Sequence, residues 1–270
     1  MFENNMSIFD THCHLADKKY HEQTQSTREI IQQAKKNGVE YILNVGYDKE
    51  SNQKVIEQLE QFSSLYGALG LHPNSNKDLT AENLQWIEKQ LINNKRILAL
   101  GEIGLDYYRP FTEKEKQKKW FKEQLELAKK YNLPVLLHIR EAFADAYEIV
   151  KEAGIKKGIL HCFTGDWEIA KKFINLGEFY ISFAGNITYE KGKWQERWQK
   201  VIEKIPLEKI VIETDAPYLS PVPLRGQINY PQNIVYTLKK LAEIKKMKVE
   251  EVADKIYVNT LQLFKFSKHA

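Results

Sequence analysis

Residues 10–15 of the 270-residue chain read DTHCHL, directly after the apolar pair Ile8-Phe9. In a strand, residues two apart share a face. His12 and His14 would therefore stand side by side, with Cys13 on the opposite face. Two adjacent imidazoles suit a divalent cation, and they also suit packed or solvated histidines, so the rest of the chain decides. Four further apolar runs end in a ligand-type residue: Glu102 in ALGEIGLD, His138 in LLHIR, His161 in ILHCF and Asp215 in IETDAP. Imidazole and carboxylate donors without a thiolate suit Zn, Mg or Mn, with Co, Ni or Fe also compatible. Six donors exceed the three or four that one catalytic zinc takes. Two divalent metal ions sharing one carboxylate fit the set better, and such a pair generates hydroxide and clamps a phosphoryl or carbonyl oxygen.

Residues spread over so much sequence need a fold that gathers them. Apolar, β-branched runs recur at 7–13, 39–46, 65–72, 96–104, 134–140, 158–163, 178–185 and 209–217. Each is nearly continuously hydrophobic, as expected of parallel strands buried on both faces. The segments between them read as amphipathic helices. In 112–132, for example, Trp120, Phe121, Leu125, Leu127 and Ala128 recur at roughly helical spacing among charges. Gly154 stands where a helix C-cap is wanted. Eight β-then-α units predict an α/β fold, a (β/α)8 TIM-type barrel, over a single domain spanning 1–270. Residues 1–7 and 266–270 are expected to be flexible ends. The tail from Tyr230 to Phe264 adds two helices parted near Met247-Lys248, one of them beyond the barrel's own set. The rival open sheet loses ground because no GxGxxG or Walker A loop follows the first strand. In a barrel all strand C-termini open at one face. His12, His14, Glu102, His138, His161 and Asp215 would then meet at one mouth, where a buried carboxylate demands a partner or a metal.

The formal net charge of +4 is a weak bias that tolerates a phosphate-bearing partner without announcing one. Paired lysines such as Lys129-Lys130 read as solvated helix faces. Two cysteines, Cys13 and Cys162, are too few for a disulfide framework, and the N-terminal stretch lacks the pattern of a secretion signal. No apolar stretch nears the roughly 20 residues of a membrane span. A cytoplasmic protein with reduced thiols, no membrane association and no inferable protein partner is expected. Strand alternation would turn both cysteines away from the mouth as small packing residues.

DTHCHL, GLHP (70–73), GEIGLDYY (101–108), HCFTG (161–165) and ETDAPYL (213–219) with RG (225–226) resemble the TatD family of metal-dependent deoxyribonucleases, in the right order from Phe9 to Phe264. The resemblance implies that His12, His14 and Asp215 hold one metal, that His138 and His161 hold the second, and that Glu102 bridges them. It also implies that a metal-activated water attacks phosphorus while Asp215 takes its proton. The implied substrate is single-stranded DNA or its ends, degraded 3′-to-5′. His72 after the third strand and Arg140 beyond His138 become candidates for contacting substrate phosphate. Arg225 is a third, in the loop where barrels often bind phosphate. Each has a plainer role: a hydrogen bond to a ligand for His72, an ion pair with Glu141 for Arg140, a surface position for Arg225. Asp106 is either an acceptor for a ligand histidine or a helix N-cap. Tyr107 and Tyr108 either stack on bases or pack the rim.

One departure bears on the grip. Where the family usually carries one or two basic residues after RG, this chain reads RGQINYP, with Gln227 and Ile228 in those places. That weakens a phosphate-binding reading of the loop. The same metal pair would serve a carbonyl substrate such as an amide, a lactone or an aminoacyl-tRNA ester. A third reading, a non-catalytic binding protein on the same barrel, predicts lost ligands, and all six are present.

Overall fold

The structure, a computed structural model, describes residues 6–21, 25–109, 111–189 and 193–266. Of the ends expected to be flexible, only Met6, Ser7 and Phe266 fall inside that range.

Eight parallel strands follow one another around a single sheet in chain order: β1 (Ile8–Cys13), β2 (Val39–Val45), β3 (Leu65–Leu69), β4 (Ile97–Asp106), β5 (Val135–Arg140), β6 (Lys157–Leu160), β7 (Glu178–Phe183) and β8 (Ile210–Ile212). A bridge between Cys13 and Ala216 and a bond from Thr11 Oγ1 to the Ile212 carbonyl join the first strand to the last. The sheet thereby wraps into the expected (β/α)8 barrel. Helices α1 (Lys18–His21) and α2 (Thr27–Lys36) follow β1. Then α3 (Lys49–Gln61), α4 (Ala81–Asn93), α5 (Lys114–Lys130), α6 (Phe143–Ala153), α7 (Trp167–Ile174) and α8 (Lys193–Lys204) follow β2 to β7 in turn. Helices α9 (Ile234–Lys245) and α10 (Val249–Leu263) close the chain.

The helices begin and end where the side chains dictate. Ser26 and Glu29 form a capping box on α2, and Asp48 and Asp166 accept the free amides of α3 and α7. Gly154 ends α6 in the left-handed conformation that a side chain resists.

Two apolar layers hold the barrel. The inner one takes a side chain from every strand, among them Phe9, Leu43, Ala68, Ala99, Leu136, Ile159, Tyr180 and Val211. Tyr257, Leu263 and Phe264 join it from α10 and the residue after it, with Phe264 5.8 Å from Phe9 by ring centroids. The extra helix is thus the plug at the barrel's N-terminal end. The alternate strand residues, such as Ile8, Ile42 and Leu137, form the outer layer with the helices. Strands β6 and β8 are shorter than their apolar runs suggest. Beyond Leu160 and Ile212 the backbone still bonds the neighbouring strands, His161 N–H to the Leu137 carbonyl and Glu213 N–H to the Phe183 carbonyl, while His161 and Asp215 reach the mouth. Among the described residues no helix is long and apolar enough to cross a membrane.

Candidate metal centre

Two local irregularities aim the site. Along β1, Asp10 pairs with Ile42 and Cys13 with Asn44, so β1 spends one residue more than β2 over that interval. Along β4 the same happens between Leu100, opposite Val135, and Ile103, opposite Leu137. An inserted residue bends a strand and re-aims its side chains. In β1 it lets His12 and His14 point into the mouth while Cys13 sits in the outer layer. In β4 it carries Glu102 inward. Strand β5 needs no such device: Leu136, His138 and Arg140 lie on one face by simple alternation. Asp215 lies just past β8, where its N–H bonds the His12 carbonyl at 2.9 Å.

The six expected donors do converge, and a seventh joins them. His12 Nε2 and His14 Nε2 are 3.2 Å apart, and His14 Nε2 is 3.3 Å from Asp215 Oδ1. Ligands 2.1 Å from one tetrahedral ion are separated by about 3.4 Å. The two oxygens of Glu102 face different partners. Oε2 lies 3.7 Å from Nε2 of both His12 and His14. Oε1 lies 2.8 Å from His138 Nδ1, 3.5 Å from His161 Nε2 and 3.8 Å from His72 Nε2. Among the described residues, three groups have donor atoms all within 4.8 Å of one another: His12–His14–Asp215, His12–Glu102–His161 and His72–Glu102–His138. His72 therefore joins His138 on one side, while His161 stacks on His12 with ring centroids 3.7 Å apart.

Three imidazoles are oriented from behind. His14 Nδ1 lies 2.8 Å from the Val45 carbonyl, so its other nitrogen presents a lone pair to the cluster. His161 Nδ1 lies 2.9 Å from Glu213 Oε1, and His138 Nε2 lies 3.3 Å from Asp106 Oδ2. Asp106 also accepts from the backbone of Tyr108 and Arg109 in the loop after β4; it faces a ligand histidine as foreseen but caps no helix, because α5 begins only at Lys114. Glu102 is 4% exposed and has no Lys or Arg partner among the described residues. Inward lone pairs, buried Glu102 and half-buried Asp215 form a donor set that fits divalent cations.

Charge follows this geometry. Burial alone would raise the Glu102 carboxyl, but the surrounding imidazoles hold it well below the usual carboxylate range. Asp215 is likewise held low, His14 and the other imidazoles outweighing its burial. Burial opposes charge on His161, yet Glu213 pulls it up to about 10. His14 and His138 are raised against burial by their carboxylate neighbours. Burial and neighbouring imidazoles lower His12, and they lower His72 to about 3.

The other expected residues sit at the rim. Arg140 makes no ion pair with Glu141; its guanidinium lies 3.9 Å from the centre of the Tyr108 ring. Arg225 is exposed, 4.3 Å from the Tyr189 ring centre and outside the donor cluster. Tyr107 is a packing residue, its hydroxyl donating to Asp145. In the RGQINYP loop, Asn229 donates to the Thr214 carbonyl and Ile228 packs against the core, so these residues brace the turn that carries Asp215. Cys162 departs from expectation. Its φ of 42° breaks the alternation, leaving it half-buried at the mouth, where Asn186 Nδ2 donates to its sulfur.

Two carboxylates passed over in the sequence prove central. Glu213 is fully buried and accepts from Ser182 Oγ and the Cys162 N–H, both at 2.7 Å, besides facing His161. Asp10 is fully buried, accepts from Thr214 at both N and Oγ1, and has its carboxyl pushed up by burial to about 8. Their signal was present: acidic residues inside otherwise apolar runs, Asp10 two residues before His12 and Glu213 two before Asp215.

The profile of the family described as TatD related DNase matches residues 9–265. The uncharacterized metal-dependent hydrolase YabD of Bacillus subtilis is 38% identical over 262 residues, spanning 96% of this chain and 100% of that protein. The uncharacterized metal-dependent hydrolase YcfH of Escherichia coli is 32% identical, spanning 96% of each. The crystal structure of YjjV, a TatD homologue from Escherichia coli, matches with a TM-score of 0.89 at 30% identity over 96% of this chain and 98% of that one. A dihydropyrimidinase from Brevibacillus agri, 12% identical with a TM-score of 0.65 over 96% of this chain and 70% of that one, shares the barrel fold alone.

Proposed function

The chain belongs to the TatD-related DNase family of metal-dependent hydrolases, and on that premise we propose that it is a DNase that shortens single-stranded DNA from its 3′ end. The observation that carries this reading is Glu102, whose two oxygens address two different sets of histidines. A carboxylate placed in that way suits a bridge between two ions. His12, His14 and Asp215 would hold one ion, with His138, His161 and Glu102 around the other and His72 beside it. Zn, Mg or Mn fits these donors. When bound, such a pair supplies Lewis acidity and an acidified water.

The chain's own groups do the rest. Asp215, ionised and beside His14, takes the proton of the attacking water. Glu213, Asp106 and the Val45 carbonyl keep the three imidazoles turned the right way, so no reorientation is needed during turnover. His72 and Arg140, on the β3 and β5 side of the mouth, would contact phosphate oxygens, the arginine by a charge-assisted bond. Arg225 would act further out, attracting the strand.

The test sets phosphodiester against carbonyl chemistry. Metal-stripped protein is reloaded with Zn, Mn or Mg and assayed side by side on oligodeoxynucleotides, oligoribonucleotides, simple esters and amides, a lactone and an aminoacyl-tRNA. Metal-dependent cleavage of the deoxy strand is expected. Turnover of a carbonyl substrate alone would replace this reading with an amidohydrolase-type one.

A further inference from the structure

Among the described residues, the exposed aromatic side chains are Tyr108, Phe111 and Tyr218, at 53%, 71% and 38%. All three are on loops that follow strand C-termini, Tyr108 and Phe111 after β4 and Tyr218 after β8. Two of these rings carry a cation: Arg140 Cζ lies 3.9 Å from the Tyr108 centroid, and Lys19 Nζ lies 4.1 Å from the Tyr218 centroid. Arg140 ends β5 and Lys19 is in α1, after β1. The strands run in order around the barrel, so the β4–β5 side and the β8–β1 side lie across the mouth from each other. The donor cluster lies between them. Tyr108 is tied to its His72–Glu102–His138 side through Asp106. Tyr218 borders its other side, 6.2 Å from the His14 ring.

Exposed rings cost solvation unless something covers them. Concentrating them at one face, with Tyr108 and Tyr218 each beside a positive charge, matches a polymer that alternates flat bases with phosphates. A small-molecule pocket would instead enclose its ligand with converging polar groups. Resting on the DNase reading, we propose two base-stacking subsites flanking the metal cluster: Tyr108 with Phe111 and Arg140 on one side, and Tyr218 with Lys19 on the other. The strand is gripped through the nucleotides on either side of the scissile phosphate. A base held within a duplex cannot offer its face to such a ring, so single strands are preferred. Stacking is indifferent to base identity, so the sequence preference is weak.

The test measures binding of a labelled, hydrolysis-resistant phosphorothioate hexathymidylate to the full chain with its metals. Tyr108→Leu and Tyr218→Leu are each expected to weaken binding about five- to one-hundred-fold, whereas Tyr108→Phe and Tyr218→Phe stay near wild type. An abasic residue on one side of the cleavage position should cancel the effect of one Leu variant and leave the other. Lys19→Ala and Arg140→Ala should each reduce the salt dependence of binding by about one phosphate contact, which the ring variants leave unchanged. Affinity within twofold of wild type in both Leu variants, with metal-dependent cleavage of DNA intact, overturns the subsites and leaves the DNase reading standing. A wild-type protein that loads metal yet neither binds nor cleaves oligonucleotides overturns both.

Discussion

At the scale of single residues, the donor set was legible because residue type and strand-end position agree. Histidines and carboxylates that close apolar runs have few bland explanations once the runs form a barrel. Glu213 was not legible in that way, because its role depends on which His161 nitrogen faces the cluster. Glu213→Gln removes the charge behind that imidazole while keeping the shape. Its metal affinity is expected to fall about ten- to one-hundred-fold, read by competition with a chromogenic chelator; an unchanged affinity would show that Glu213 is only packing. Protonation gives a second prediction. Glu213 holds His161 charged up to about pH 10 in the metal-free protein, and carboxylates raise His14 and His138 as well. A metal needs their lone pairs, so loading at pH 8 should release protons and the apparent affinity should rise with pH. The sign for stability is the reverse. The charged His161 stabilises the metal-free fold fully below its ordinary value of about 6.5, and that contribution is lost as pH rises through about 10. Titration calorimetry in buffers of unlike ionisation enthalpy checks the release, and equal heats in both would contradict it.

At the scale of elements, all eight strands were visible as apolar runs, but their ends were not. The chain beyond β6 and β8 leaves regular strand geometry while still bonding its neighbours, and Cys162 was misplaced because alternation does not survive a positive φ. The extra residues in β1 and β4 were also invisible: HxH spacing looks the same with or without one, and only the pairing reveals them. Gly70 shows how tightly the β4 device is held. A Cβ there would lie 2.6 Å from the Gly101 carbonyl carbon and 2.8 Å from Glu102 N. Gly70→Ala must push this backbone aside, costing about 1–3 kcal/mol, and should weaken metal binding by displacing Glu102. Phe264→Ala, in the plug at the far end, is the contrast. It should cost about 3 kcal/mol in denaturant unfolding and leave metal stoichiometry intact. Like behaviour of the two variants would show that the two ends of the barrel do not divide metal binding and stability between them.

At the scale of the whole molecule, one end of the barrel is sealed by apolar packing and the other gathers charge, lone pairs and exposed rings. The small net charge of +4 hid this polarity, because what matters is where Lys19, Arg140 and the inward carboxylates lie. The proposed activity is cleavage of a single strand at that open end by a metal cluster shared through Glu102. It is tested most directly by following an end-labelled single-stranded oligodeoxynucleotide over time. The protein is assayed metal-stripped, reloaded with Zn, Mn or Mg, and as Glu102→Ala shown to be folded. Stepwise shortening from the 3′ end that requires both metal and Glu102 is the predicted result. Near-normal cleavage by folded Glu102→Ala, or an intact strand in protein loaded with two metal equivalents, would rule that activity out.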